Sequence, residues 1–154
     1  MNLTQRIIYL NVSRNEIGDM GARALALLIN ESTKLRLLFM HYNRVLGFGG
    51  DEIAEAVGQS KSLQVLDISW NSICSSGRMK KNEKVKEEEK TQVGKKKQQP
   101  PKANKSFADL FARGFAESWS LAFAANNSLL HVDMSHNSLE QTDVEIIAEG
   151  LKEN

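Results

Sequence analysis

The feature that most constrains this chain is an internal repeat. Four nine-residue segments superpose: Ile7-Ile-Tyr-Leu-Asn-Val-Ser-Arg-Asn15, Leu35-Arg-Leu-Leu-Phe-Met-His-Tyr-Asn43, Leu63-Gln-Val-Leu-Asp-Ile-Ser-Trp-Asn71 and Leu129-Leu-His-Val-Asp-Met-Ser-His-Asn137. Each reads apolar-x-x-apolar-x-apolar-x-x-Asn, and a further apolar residue follows two places on, at Ile17, Val45, Ile73 and Leu139. The first three asparagines lie 28 residues apart. The last interval is one such period with an insertion of 38 residues. A fixed period of this length is the signature of stacked supersecondary units, none of which can bury its apolar face alone.

Within each segment the apolar positions alternate with period 2, so each is expected to form a short strand with one face inward. The strands are placed near 8–12, 36–40 and 64–68, with a fourth in the last segment. The asparagine closes the strand, with a side chain able to bond the backbone of the neighbouring turn, so Asn15, Asn43, Asn71 and Asn137 are read as structural. Between strands lie helix-patterned stretches at Gly18 to Asn30, Gly50 to Val57, Phe107 to Ala125 and Thr142 to Lys152. Their inward residues recur at i, i+3 and i+4. Thr142 and Glu145 read as a capping box opening the last helix. The expected fold is α/β: a solenoid with parallel strands on its concave face and helices on its convex face.

The length of 154 residues suits one domain or a piece of one. The charge divides the chain more sharply than its net +1 suggests. Eleven basic residues between Arg78 and Lys105 face four glutamates, a surplus of seven that the remainder of the chain offsets. The stretch 75–105 has few apolar residues and holds both prolines, Pro100 and Pro101. It cannot bury enough surface to offset the entropy of ordering, and is read as a lysine-rich disordered insertion. The expected organisation is repeats one to three in 1–74, that insertion, and in 106–154 an extended helix followed by repeat four. Aligning Leu35 with Leu129 puts Trp119 at the position of Leu25 and Phe123 at that of Ile29, both core positions. The same alignment makes Ser106 to Phe111 an extension of nearly two helical turns. Neither end reads as a polar cap, so a fragment of a longer solenoid, or ends covered by other chains, is expected.

The period, the Leu-x-x-Leu-x-Leu-x-x-Asn pattern and the continuation Ile17-Gly-Asp-Met-Gly-Ala-Arg-Ala-Leu25 resemble the ribonuclease-inhibitor type of leucine-rich repeat. The resemblance covers about three quarters of the chain, everything but the insertion. Ser128 to Asn137, with Ile146-Ile-Ala-Glu-Gly-Leu-Lys-Glu-Asn154, is similar to repeats in large leucine-rich proteins of ciliated unicellular eukaryotes. The family resemblance implies a binding scaffold. Members include cytosolic inhibitors, immune sensors, a GTPase-activating class and axonemal proteins, and the fold does not choose among them.

Strand alternation sets out the concave face as three ladders: Tyr9-Leu37-Val65-His131, Asn11-Phe39-Asp67-Asp133 and Ser13-His41-Ser69-Ser135. Arg14, Tyr42, Trp70 and His136 end the strands. Candidate partner-binding residues on this face are Tyr9, Asn11, Arg14, Phe39, His41, Tyr42, Asp67, Trp70, Asp133 and His136, the alternative being that they only cover the sheet. Phe107, Leu110 and Phe111 form a second candidate contact on the helix extension, unless they fold back near Ile53 and Val57. Asp67, Asp133, His41, His131 and His136 invite a catalytic or metal reading, but nothing pairs a nucleophile with an oriented base. No catalytic, cofactor-binding or metal residue is assigned.

The expected function is a non-enzymatic scaffold holding protein partners in a larger assembly. The ciliate-like wording points to a ciliary or axonemal setting, with tubulin or axonemal proteins as partners. The alternative is regulation of a small GTPase; Arg14 and Arg44 sit near strand ends, but nothing in their spacing singles them out for it. The single cysteine, Cys74, and the lack of a secretory signal suit a reduced, cytoplasmic compartment. No run of 18 apolar residues exists, so no membrane-spanning helix is expected. The insertion offers a polyanion contact, but it holds no aromatic between Arg78 and Lys105. Base stacking there is unavailable, and sequence-specific nucleic-acid binding is not expected.

Overall fold

The computed structural model describes residues 6–74 and 114–154. Four three-residue strands alternate with four helices: β1 (Tyr9–Asn11), α1 (Gly18–Glu31), β2 (Leu37–Phe39), α2 (Gly47–Gln59), β3 (Val65–Asp67), α3 (Phe115–Ala125), β4 (His131–Asp133) and α4 (Gln141–Glu153). The sheet order is β1-β2-β3-β4, every pair parallel. The register aligns Tyr9, Leu37, Val65 and His131 across the sheet, and likewise Asn11, Phe39, Asp67 and Asp133. The helices pack in chain order, α1 on α2, α2 on α3 and α3 on α4. The result is an α/β solenoid with a parallel sheet on one side and a helix layer on the other.

The core follows from the alternation. Leu38 and Leu66, the middle residues of β2 and β3, are fully buried, while their neighbours on each strand are only partly so. Opposite them, α1 contributes Ala22, Ala26 and Ile29 at helical spacing, all buried. In α3 the corresponding core space is filled by Trp119 and Phe123. Their rings sit 5.5 Å apart in a tilted pair. The larger side chains therefore occupy the same inward positions as Leu25 and Ile29, two repeat units later.

Asparagines tie successive turns together. Asn43 Nδ2 donates to Met40 O at 2.9 Å and to Val12 O at 3.0 Å, so one side chain spans two repeats. Asn71 Oδ1 accepts from the backbone N–H groups of Asn43 and Val45, each at 3.0 Å. Asn137 Nδ2 reaches back to Ile68 O at 2.9 Å and its own Met134 O at 3.0 Å. Asn43, Asn71 and Asn137 are all buried. They supply partners to turn backbone groups that no sheet ladder reaches.

Three helix starts differ from the sequence reading. Helix α3 opens at Phe115 and does not run on continuously from Phe107, because Gly114 takes an extended backbone and acts as its N-cap. Helix α2 opens at Gly47 rather than Gly50, because the backbone is already helical through Phe48 and Gly49. Helix α4 opens at Gln141, with Glu140 as its N-cap. The box residue is Asp143, whose Oδ2 accepts the Glu140 N–H at 2.9 Å, so Thr142 lies inside the first turn. Asp143 fits because a shorter acidic side chain three residues on reaches the same N–H as the expected glutamate. Helices α3 and α4 approach closely at Gly150: a Cβ there would lie 2.1 Å from Ser120 O. The helix extension, with Phe107, Leu110 and Phe111, and the lysine-rich insertion lie outside the described residues.

Candidate functional site

The residue before each turn asparagine has a left-handed backbone. Arg14, Tyr42, Trp70 and His136 have φ of 60°, 60°, 52° and 56°. This conformation costs an ordinary L-residue about 1–2 kcal/mol, and glycine meets the same turn without that penalty. Large side chains stand here nonetheless, in every repeat. Because neighbouring strands are about 4.8 Å apart, side chains at equal register come into contact. Tyr42 stacks on Trp70 with ring centroids 5.3 Å apart and planes 27° apart, and Trp70 stacks on His136 at 3.7 Å and 17°. Stacking of this kind returns about 0.5–1.5 kcal/mol per pair, offsetting the backbone cost only in part. The stack stays exposed, Tyr42 at 55% and Trp70 at 48%. A shallow open groove of about 610 Å³ runs beside it, lined by Arg14, Glu16, Tyr42, Arg44, Trp70 and Ser72. Arg44 pairs with Glu16 at 2.8 Å, both side chains well exposed.

The concave ladder of Asn11, Phe39, Asp67 and Asp133 is built differently. Asn11, Asp67 and Asp133 each accept the backbone N–H two residues on, from Ser13 at 3.0 Å, Ser69 at 3.0 Å and Ser135 at 2.9 Å. These side chains close the end of their own strand as Asx-turns. The backbone N–H and then the hydroxyl of Ser135 hold the Asp133 carboxyl below its ordinary value. Phe39 breaks the pattern and packs against Tyr9 with ring centroids 5.5 Å apart. Across the face, His41 Nδ1 lies 2.9 Å from Asp67 Oδ2, while Ser69 Oγ donates to Asp67 Oδ1 at 2.7 Å. A nucleophile relay needs the imidazole between hydroxyl and carboxylate. Here the carboxylate sits between them, so the serine is not poised to lose its proton to the histidine.

Comparison with known proteins agrees with this geometry. A leucine-rich-repeat family model matches residues 7–26, 59–80 and 125–148. The fold is that of a leucine-rich-repeat protein. Among solved structures, the chain is similar to leiomodin-1 actin-binding site 2, with a TM-score of 0.65, 15% identity and 97% of this chain covered. It spans 66% of that chain's length. The tropomodulin C-terminal domain of Caenorhabditis elegans aligns with a TM-score of 0.43 and 12% identity, over 97% of this chain and 84% of that one. No curated protein sequence matches the chain.

In this leucine-rich-repeat solenoid the candidate residues fall into separate groups. Tyr42, Trp70 and His136 form one continuous stack, with Arg14 lining the same groove as Tyr42 and Trp70. Tyr9, Asn11 and Phe39 form a second cluster at the β1 end, where Asn11 Nδ2 lies 3.4 Å from the Tyr9 hydroxyl. His41 and Asp67 pair with each other, and Asp133 turns back on its own strand. Among the described residues no group of three His, Cys, Asp or Glu side chains is placed to hold a metal ion. No described helix is long and apolar enough to cross a membrane.

The sequence reading missed a second ladder at the helix ends. Ser32 and Ser60 hydroxyls accept the Leu35 and Leu63 N–H groups at 3.0 and 3.2 Å, and Asn126 Oδ1 accepts Leu129 N–H at 2.7 Å. Asn126 Nδ2 donates to Val57 O and Ser60 O, and Asn154 Nδ2 makes the same pair of bonds one repeat later, to Phe123 O and Asn126 O. The same 28-residue spacing, from 32 to 60 and from 126 to 154, was the signal that would have found it.

Proposed function

We propose that this chain is a non-enzymatic protein-interaction scaffold whose partner lies along the strand-end stack and the neighbouring concave face. The supporting observation is the retention of Arg14, Tyr42, Trp70 and His136 on left-handed backbone, where glycine would fold at lower cost. The turn imposes the left-handed backbone, and large exposed aromatic residues kept on it point to a use beyond folding. Aromatic and arginine side chains are also the types that dominate binding energy at protein interfaces. Tyr42 and Trp70 are the central anchors of the proposed contact. Tyr9, Asn11, Phe39, His41, Asp67 and Asp133 form its concave flank, with Phe107, Leu110 and Phe111 as a second contact.

The proposed partner belongs to a cytoskeletal assembly, of the ciliary or axonemal kind, within the cytoplasm. The resemblance read from Ser128 to Asn137 to repeats of ciliated unicellular eukaryotes motivates that setting, and the leiomodin-1 structure is itself an actin-binding site. Tubulin and actin are therefore the polymers to try first. Regulation of a small GTPase is not favoured: Arg44 is held by Glu16, and nothing singles out Arg14 for a nucleotide. The test is site-specific photo-cross-linking within the native assembly, from position 42 on the stack and from position 20 on the convex side, where Met20 is 74% exposed. The proposal expects partner cross-links from position 42 and few from position 20. Cross-links from position 20 alone would overturn it. Sedimentation with actin filaments and with microtubules, run separately, then tests the cytoskeletal setting.

A further inference from the structure

We propose that the strand-end stack recognises an acidic, extended segment of a partner protein through the edges of its rings. The inference rests on the reading of this surface as a partner contact, and adds the chemistry of what it takes. The stacking direction runs from strand to strand, so Trp70 has Tyr42 on one face and His136 on the other. Both faces of the indole are occupied, so Trp70, which is half exposed, offers a partner its ring edge and N–H. Aromatic edges are the positive part of the ring quadrupole, and the tips here are an indole N–H, a phenol O–H and an imidazole. Arg14 extends the same row with a guanidinium that makes no ion pair or side-chain hydrogen bond among the described residues. In the groove beside the row the charged residues are Arg14, Arg44 and Glu16, the last two paired, which leaves a surplus of one positive charge.

A row of donors and positive edges with a spare guanidinium is complementary to carboxylates and backbone carbonyls. Trp70, at its centre, is a poor platform for nucleic-acid bases, which need an open ring face to stack upon. Three inter-strand steps of about 4.8 Å carry the row from Arg14 to His136 over about 14 Å, the reach of about four extended residues at about 3.4 Å each. An acidic tetrapeptide core, with at least one carboxylate at the Arg14 end, fits that length.

The experiment is a proton–nitrogen NMR titration of the full chain, which has two tryptophans and so two indole N–H signals. One belongs to exposed Trp70 and the other to buried Trp119, and Trp70→Ala assigns them by removing one. The indole signal is the readout because the basic residues between Arg78 and Lys105 offer a separate anionic target. The probes are an alternating Glu-Leu decapeptide, its Gln-Leu and Lys-Leu counterparts, and a ten-nucleotide thymidine oligomer. The acidic peptide is expected to move the Trp70 signal and leave that of Trp119, with Arg14→Ala weakening the response about tenfold. Movement by Gln-Leu or Lys-Leu peptide at equal or higher affinity would overturn the acidic chemistry while leaving a peptide contact standing. Movement by the oligonucleotide alone would overturn the ring-edge argument in favour of bases. A Trp70 signal unmoved by all four probes would overturn the acidic segment; if the position-42 cross-links are also absent, the partner-contact reading falls with it.

Discussion

Replacing Asn71 by alanine removes the most heavily used of the turn asparagines. Its Oδ1 accepts two backbone N–H groups, from Asn43 and Val45, each at 3.0 Å. Its Nδ2 donates to Ile68 O at 3.0 Å, Met40 O at 3.2 Å and Ser69 O at 3.1 Å. The carbonyl losses are partly covered, because Asn43 also donates to Met40 O and Asn137 to Ile68 O. The two N–H groups have no such cover, and they sit in a buried turn where Asn43 and Val45 are fully excluded from solvent. An orphaned buried donor costs about 1–3 kcal/mol, so the pair gives a loss of about 3–4 kcal/mol. Asn15→Ala is the control: Asn15 donates to Val12 O and Ser13 O from an exposed position, and Val12 O keeps the Asn43 donor. Its loss should stay near 1 kcal/mol or below. Urea unfolding followed by circular dichroism reads the difference. With a slope of about 2 kcal/mol/M, Asn71→Ala should lower the midpoint by about 1.5–2 M and Asn15→Ala by under 0.5 M. Equal shifts for the two variants, or a loss under 1 kcal/mol for Asn71→Ala, would refute the role given to the ladder.

Two further outcomes are expected. Burial between α2 and α3, with Glu117 and Glu52 nearby, raises the Asp51 carboxyl from 3.8 to about 6 against an opposing hydrogen bond from Ser118. The folded state then binds this proton more tightly than the unfolded state, so its contribution to stability is largest below pH 4 and is lost as pH rises through about 6. Asp51→Asn should raise stability at pH 7 by about 1–2 kcal/mol after allowing for partial solvent screening, and should flatten the melting temperature between pH 4 and 6. An unchanged pH profile in that variant would remove Asp51 as the cause. Gly150→Ala should lower the melting temperature, with a loss of about 2–3 kcal/mol, because the new Cβ meets the Ser120 backbone and α4 must shift away from α3. The same change in an open helix would gain up to about 1 kcal/mol, so a rise in melting temperature would show that the helices do not touch there.

The fold was legible because its determinants are local and periodic. Leu10, Leu38, Leu66 and Val132 mark the inward strand position, and Asn15, Asn43, Asn71 and Asn137 mark the turn, at a spacing that survives a long insertion. Helix starts were less legible. Gly47, Phe48 and Gly49 carry weak helical propensity and are held helical by tertiary contact, and Glu140 and Asp143 compete with Thr142 and Glu145 two residues on. The residues of the strand-end stack were legible, but their geometry was not. Left-handed backbone at Tyr42 and Trp70 contradicts local preference and is imposed by the turn that Asn43 and Asn71 close. Which faces of the rings are covered depends on the distance between strands and not on any one segment. The aspartates of the concave face resembled reactive groups in the sequence, and only the structure shows Asp67 and Asp133 bound to the backbone two residues ahead.

The most direct measurement is the affinity of the partner recovered by cross-linking for the wild type and for Trp70→Ala, by calorimetry, with circular dichroism of both proteins alongside. Trp70 is half exposed and its neighbours Tyr42 and His136 stand on their own turns, so the fold should survive the change. Removing a central aromatic anchor should weaken binding by about 1–2 kcal/mol, which is about fivefold to thirtyfold. Unchanged affinity in a folded Trp70→Ala protein would contradict the assignment of the strand-end stack as the partner-binding surface.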